Sequence, residues 1–371
     1  MDAAPPLTPP AIEQPAPYEV SYGLVTGRAA TGTRRIVVSA NGRVLASRPL
    51  RGRRFTVRVE LPQGDVSVRV TNQDASGRGT ARVVRNVYGL PAAARPRVVR
   101  DREDRRLARR LRAAIRTYRG TGAFYVQSLT SGRGAAWNAR ARFPAASTLK
   151  LAIAAAVLVE HEGIPSPRSY VGRLLREMIV PSDDAAANEL EVWLAGSTSA
   201  GSHVVNGLMR SIGMTDSIMY GGYEVPRSLS ARIPVRVDEQ PAFGVGKYTT
   251  AVDMARLHRA IWLASGNRGP LRARQRGFTA ADARHLLWLL AHVRDTPKLD
   301  RSLRDDRGVH VLHKAGWINA ARHDTGLVFW RGGVFVASVM TWSASGAGPS
   351  SDVLAGRVAA ISLQRLRRLA R

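Results

Sequence analysis

Cysteine is absent from the 371 residues. That excludes disulfides, thiolate metal ligands and a cysteine nucleophile. Lysine is nearly absent. Four lysines (Lys150, Lys247, Lys298, Lys314) stand among 56 basic residues, so 52 are arginine. A lysine that survives such a bias marks a position worth attention. Acidic residues are outnumbered, 28 against 56, for a net charge of +28. The arginines run along the whole chain, which suits an ordinary solvated surface as well as a polyanion partner. No run of about 20 apolar residues occurs, so no spanning helix is predicted. Residues 1–17 carry no apolar signal core.

What is present suits a folded chain of two or three domains, at ~100–200 residues each. Residues 1–17, rich in Pro and Ala, read as a disordered leader. In residues 18–92, short alternating segments such as RRFTVRVEL and DVSVRVTNQD are separated by Gly, Asn and Asp clusters. This predicts a small immunoglobulin-like β-sandwich. Residues 93–371 read as the main domain. A basic amphipathic helix over 103–118 is followed by a strand pair over 123–130 and 133–140, a long helical stretch, three strands and a last helix. The fold class expected is α+β, a three-layer α/β/α arrangement with an all-helical lobe, its sheet assembled from both ends of the domain.

Three segments carry chemistry. Ser147-Thr148-Leu149-Lys150 opens an apolar helix, and the three-residue spacing puts serine and lysine on one face. A serine hydroxyl needs a base to become a nucleophile, and a desolvated lysine can serve. Ser182-Asp183-Asp184 follows a helix that stops at Pro181, and by itself reads as a helix cap, with Ser182 or Asp183 capping the next helix. Lys314-Ala315-Gly316 lies on a strand, where glycine permits close approach of another backbone. His310 and His313 lack an acidic partner at ligand spacing.

Taken in order, these segments resemble the S-x-x-K, S-D-N and K-T-G motifs of the penicillin-recognising active-serine hydrolases, most closely the class A β-lactamase-like branch. The surrounding FPAASTLKLAIAAAVL, MIVPSDDAAANEL and YTTAVDMARLHRAI are similar too, and the resemblance spans roughly 100–371. It implies Ser147 as the acylated nucleophile and Lys150 as its proton shuttle. Ser182 would relay a proton to the leaving group, with Lys314 tuning that step and attracting a substrate carboxylate. The backbone N–H groups of Ser147 and Trp317, the latter just after Gly316, would form the oxyanion hole. Asn188 matches the asparagine that orients the deacylation machinery, and Glu224 is the nearest candidate for the deacylating base.

This sequence departs from the pattern at two motif positions. Asp184 replaces an asparagine, and a carboxylate accepts hydrogen bonds without donating. Ala315 replaces a threonine, removing a hydroxyl that would meet the substrate carboxylate. Arg322 is expected either to replace that hydroxyl as an anchor or, with His323 and Asp324, to form a structural ion pair. The resemblance implies no metal and no organic cofactor. Its substrates are β-lactams or related amides and esters, with a D,D-peptidase or esterase on peptidoglycan-derived substrates as the second reading. A non-catalytic binder of an anionic cell-wall polymer, through the basic surface, is the third. All three place the chain outside the cytoplasm, secreted or envelope-associated, and argue against a nucleic-acid partner.

Overall fold

A computed structural model describes residues 7–161, 163–223 and 246–370. The chain divides between Arg95 and Pro96 into two units. The first contains eight strands: β1 (Ala11–Gln14), β2 (Glu19–Ser21), β3 (Leu24–Arg28), β4 (Arg35–Ala40), β5 (Arg43–Pro49), β6 (Arg54–Arg58), β7 (Gly64–Gln73) and β8 (Gly79–Gly89). They form a three-stranded sheet, β1-β3-β6, and a five-stranded sheet, β2-β8-β7-β4-β5. Val25 and Phe55 of the first share one core with Val38, Val68 and Val70 of the second. Alternation drives this: every second residue of β4, β6 and most of β7 is buried.

One expectation is corrected here. Residues 1–17 read as a disordered leader, yet Ala11–Gln14 is a strand paired antiparallel with β3. Its neighbours are held as well: Asn72 donates its amide to the Thr8 carbonyl, and Thr80 donates its hydroxyl to that of Leu7. A Pro-rich composition does not prevent an edge strand whose partners lie further along the chain.

The second unit is built on a six-stranded sheet in the order β14-β15-β16-β10-β11-β9. These are β9 (Arg102–Glu103), β10 (Thr121–Ser128), β11 (Arg133–Trp137), β14 (Val309–Ile318), β15 (Ala321–Trp330) and β16 (Gly333–Trp342). Two short strands, β12 (Phe143–Pro144) and β13 (Tyr248–Thr249), pair with each other. The helices are α1 (Arg105–Ile115), α2 (Lys150–Glu160), α3 (Tyr170–Ile179), α4 (Asp184–Ala195), α5 (Thr198–Ser211), α6 (Ala251–Ser265), α7 (Gly269–Arg274), α8 (Ala280–Ala291) and α9 (Pro349–Leu369).

Helices α1 and α9 cover one sheet face, where Leu107, Leu111, Val358 and Leu363 pack with Phe124, Val126, Phe335 and Val339. The other face meets α6, whose His258 imidazole lies 2.9 Å from the Thr325 hydroxyl. The sheet therefore closes a three-layer α+β unit, with α2–α5 inserted between its N- and C-terminal strands. No helix among the described residues is long and apolar enough to cross a membrane.

Asp104 ties the two helices of the first face together. Its carboxylate caps α1 by accepting from Leu107 N–H at 3.0 Å, and it accepts from Arg365 of α9 at 2.9 and 3.3 Å. Burial raises its pKa, but the Arg365 and N–H bonds outweigh burial and hold it below the ordinary carboxylate value. The stabilisation is thus present at neutral pH and lost as acid titrates the folded carboxylate. Asp104→Ala is expected to lower stability by about 1–3 kcal/mol at pH 7. Urea unfolding would read this, and the gap to wild type should narrow below pH 4, the ordinary value being 3.8.

Candidate active site

The Ser147–Lys150 segment sits where β12 runs into α2. A single turn, Ala146–Leu149, precedes the helix. Ala146 adopts φ 45°, a left-handed conformation unusual for alanine. It is held in place by neighbours: Ala145 N–H donates to the Lys247 carbonyl at 2.9 Å, and the Thr148 hydroxyl donates to the Ala145 carbonyl at 2.6 Å. Buried, neutral His323 adds a third restraint. Its Nε2–H donates to the Pro144 carbonyl at 2.7 Å, while Nδ1 accepts from Thr341 N–H at 3.2 Å. Burial pushes this imidazole down to about 4, which fits the neutral tautomer those two bonds require. Ser147 is half-buried, and no side chain among the described residues hydrogen-bonds its hydroxyl.

Lys150, fully buried, begins α2. Its ammonium donates to the Ser182 carbonyl at 2.5 Å and forms an ion pair with Asp184. It also stands 4.8 Å from the Tyr223 ring centroid. Of Ser182 and Asp183, it is Asp183 that caps α4, accepting from Ala186 N–H at 2.7 Å. Ser182 sits in the left-handed region at φ 67°. That twist lets one residue serve two lysines: its carbonyl meets Lys150, and its hydroxyl accepts from Lys314 at 2.7 Å.

Lys314 arrives from β14, the outer strand of the sheet. It is fully buried and also donates to the Ala315 carbonyl at 2.9 Å. Burial, with the nearby Lys150 charge, pulls its ammonium down to about 7, against opposition from Asp295 and Asp324. Gly316 lets the strand edge meet the turn. A Cβ there would stand 2.7 Å from Ser147 N and 2.8 Å from Thr148 N, inside contact distance. Trp317 follows, with 59% of its surface exposed.

Asp184, Asn188 and Glu191 fall at helical spacings i, i+4 and i+7 of α4 and share one face. Asn188 grips a later segment through both amide atoms: Nδ2 donates to the Tyr223 carbonyl at 2.7 Å, and Oδ1 accepts from Tyr223 N–H at 2.5 Å. The sequence reading thus brings Ser147, Lys150, Ser182, Asp184, Asn188, Lys314 and Gly316 into one neighbourhood. Glu224 lies outside the described residues. Arg322 takes the ion-pair role and not the anchor role. Its guanidinium donates to both carboxylate oxygens of Asp352 at 2.7 and 2.8 Å, so it is engaged by α9. Asp324 pairs separately with His313 at 2.8 Å.

Sequence reasoning missed three residues. Tyr223 is a buried phenol whose pKa burial pushes well above its ordinary value. Lys247 stands 4.6 Å from the same ring and donates to the Gly222 carbonyl at 2.5 Å. Glu191 is fully buried, accepts from the Ser202 hydroxyl at 2.8 Å, and among the described residues its second oxygen has no hydrogen-bond partner. Burial raises this carboxyl to about 7. The scarcity of lysine was the available signal for Lys247, and the i, i+4, i+7 spacing was the signal for Glu191.

The profile of the β-lactamase enzyme family matches residues 106–163 and 161–366. No curated protein matches the chain. Among solved structures, PBP-A is 19% identical and superposes with a TM-score of 0.56, covering 72% of this chain and 98% of its own. A β-lactamase from Streptosporangium roseum is 19% identical, with a TM-score of 0.54 and 71% and 100% covered. One from Sphaerobacter thermophilus DSM 20745 is also 19% identical, with a TM-score of 0.51 and 71% and 97% covered. At these identities the likeness is one of fold.

The titration of Lys314 can be read through stability. An unfolded lysine holds its proton to about pH 10.5, whereas this one releases it near 7. Between those values the unfolded chain binds the proton and the folded chain does not, so stability rises with pH across that window. Urea unfolding at pH 6.5 and 9 should show wild type gaining stability relative to Lys314→Met. Parallel curves would mean that Lys314 titrates normally.

Proposed function

Because the chain belongs to the β-lactamase enzyme family and is a serine hydrolase of β-lactamase type, we propose that it acylates Ser147 with a β-lactam or a related amide or ester and releases the acyl group slowly. The observation that carries the slow release is Asn188. Its amide holds the backbone of Tyr223. The side chain so oriented is a phenol that keeps its proton at neutral pH, not a carboxylate able to activate water.

In acylation the Ser147 hydroxyl attacks the carbonyl carbon and gives its proton to Lys150. Lys150 must be neutral to take it, so the proton of the Lys150–Asp184 ion pair has to leave first. The developing oxyanion is received by the N–H groups of Ser147 and Trp317, brought together by the close approach of Gly316. Ser182, hydrogen-bonded to Lys314, then passes a proton to the leaving nitrogen or oxygen. With its pKa near 7, Lys314 can replenish that proton at neutral pH and, while charged, attract a substrate carboxylate. Asp184 weakens both halves of this arrangement. It binds the ammonium that must deprotonate, and it lacks the N–H that an amide would offer the substrate.

The second reading, a D,D-peptidase or penicillin-binding activity on peptidoglycan-derived substrates, is favoured by the same Tyr223 observation. One solved structure of a PBP-A variant is an acyl-enzyme complex with penicillin G, and an adduct of that kind is proposed for Ser147.

Intact-protein mass spectrometry after brief exposure to penicillin G is the test. An adduct is expected on wild type and not on Ser147→Ala, persisting for minutes or longer. Asp184→Asn should raise the acylation rate roughly tenfold, as loss of one charge-assisted contact of ~1.4 kcal/mol or more predicts. Absence of any adduct on folded wild type would remove the β-lactam reading. Its disappearance within seconds would point to an unidentified deacylating base.

A further inference from the structure

The acylation chemistry above uses two of the four lysines, yet the fold brings a third to the same place. Lys247 immediately precedes β13, and its backbone carbonyl accepts from Ala145 N–H, two residues before Ser147. Its side chain reaches the Gly222 carbonyl at 2.5 Å. The Asn188 amide holds the next residue, Tyr223, from the other side. Lys247 therefore links the nucleophile segment to the segment carrying Tyr223. The ring of Tyr223 is shared by two ammonium groups, Lys150 at 4.8 Å and Lys247 at 4.6 Å. The Tyr223 hydroxyl in turn lies 3.4 Å from the carbonyl of left-handed Ala146.

From this arrangement we propose that Lys247 is a positioning residue of the acylation site. It fixes Tyr223 against Lys150, and its charge biases Lys150 toward the neutral form able to take the Ser147 proton. A like charge nearby disfavours an ammonium, while an opposite charge favours it. Among the described residues, the charges acting on this pair are Asp184 and Glu191 from α4 and Lys314 from β14, and the Tyr223 ring meets both ammonium groups. Asp184 holds the proton on Lys150, and Lys247 and Lys314 oppose it. The Glu191 charge acts on Lys247 and sets how much of that opposition survives. As its carboxyl ionises near pH 7, it offsets the Lys247 charge. Glu191 and Lys247 thus act on Lys150 with opposite signs, a pattern that simple loss of packing would not produce.

The experiment uses the scarcity of lysine. With four lysines in the chain, protein labelled with carbon-13 at lysine Cε gives four signals, assignable by single substitutions and titratable by NMR. The Lys150 midpoint is expected to move to higher pH in Lys247→Met, to lower pH in Glu191→Gln, and to stay near wild type in Lys247→Arg. An unmoved Lys150 midpoint in Lys247→Met, with the signals of Lys298 and Lys314 unchanged, overturns the proposal. Should Lys247→Met not fold, an unmoved midpoint in Glu191→Gln overturns it equally. The kinetic consequence rests on the acylation reading: adduct formation at pH 7 should fall roughly three- to tenfold in Lys247→Met and recover in Lys247→Arg. Shifted midpoints in a protein that forms no adduct would remove the acylation reading and leave this one standing. Adduct formation with unmoved midpoints would do the reverse.

Discussion

A fully buried ammonium at Lys150 is the constraint around which the second unit is arranged. An isolated charge in that environment is costly by several kcal/mol, so partners must be brought to it. They come from the start of α4, as the Ser182 carbonyl and the Asp184 carboxylate. To deliver them, Ser182 takes a left-handed conformation, and its hydroxyl turns toward Lys314. Such a conformation costs of order 1–3 kcal/mol and persists where surrounding contacts over-determine it. Here two buried lysines do so. The relation of α2, α4 and β14 is therefore set by charge satisfaction as much as by apolar packing.

The chemistry of the two cations explains their division. Arginine keeps its charge at any accessible pH and suits solvated faces and fixed ion pairs, such as Arg322 with Asp352 and Arg365 with Asp104. Lysine can lose its proton when buried. In a chain with 52 arginines, Lys150, Lys247 and Lys314 surround the candidate site, and Lys298 pairs with Asp295, which itself acts on Lys314. The surface uses the residue that cannot titrate, and the site uses the one that can.

Much of this was legible in the sequence because it was local. Ser147 and Lys150 share a helical turn, and the α4 start carries Ser182 to Asn188 in one stretch. Alternation in β4, β6 and β7 marked a sandwich. The rest depended on partners distant in sequence. Ala11–Gln14 became a strand through a pairing that its composition did not signal. Arg322 was ambiguous until Asp352, 30 residues away, claimed its guanidinium. Tyr223 and Lys247 lie in segments without periodicity, and their ring and ammonium meet through the fold. Glu191 lay in plain view on the face of α4, but a burial that raises a carboxyl to about 7 is a tertiary property.

Acylation and deacylation place opposite demands on such a site. Acylation needs a base at the serine and donors for the oxyanion, and both are assembled from α2, α4 and the edge of β14. Deacylation needs a second base on the side from which water approaches the ester. Among the described residues, the position fixed by the Asn188 amide holds an aromatic ring between two ammonium groups. A phenol there is stabilised by its quadrupole facing the cations and by burial, which also keeps it protonated. Glu191, the remaining carboxyl of that face, is enclosed beside Ser202. Burial and the nearby Glu191 and Asp184 charges keep the Tyr223 phenol protonated against the pull of the two ammonium groups, and a protonated phenol is a poor base. On the proposed acylation of Ser147, the site is equipped for the first half of the reaction at the expense of the second.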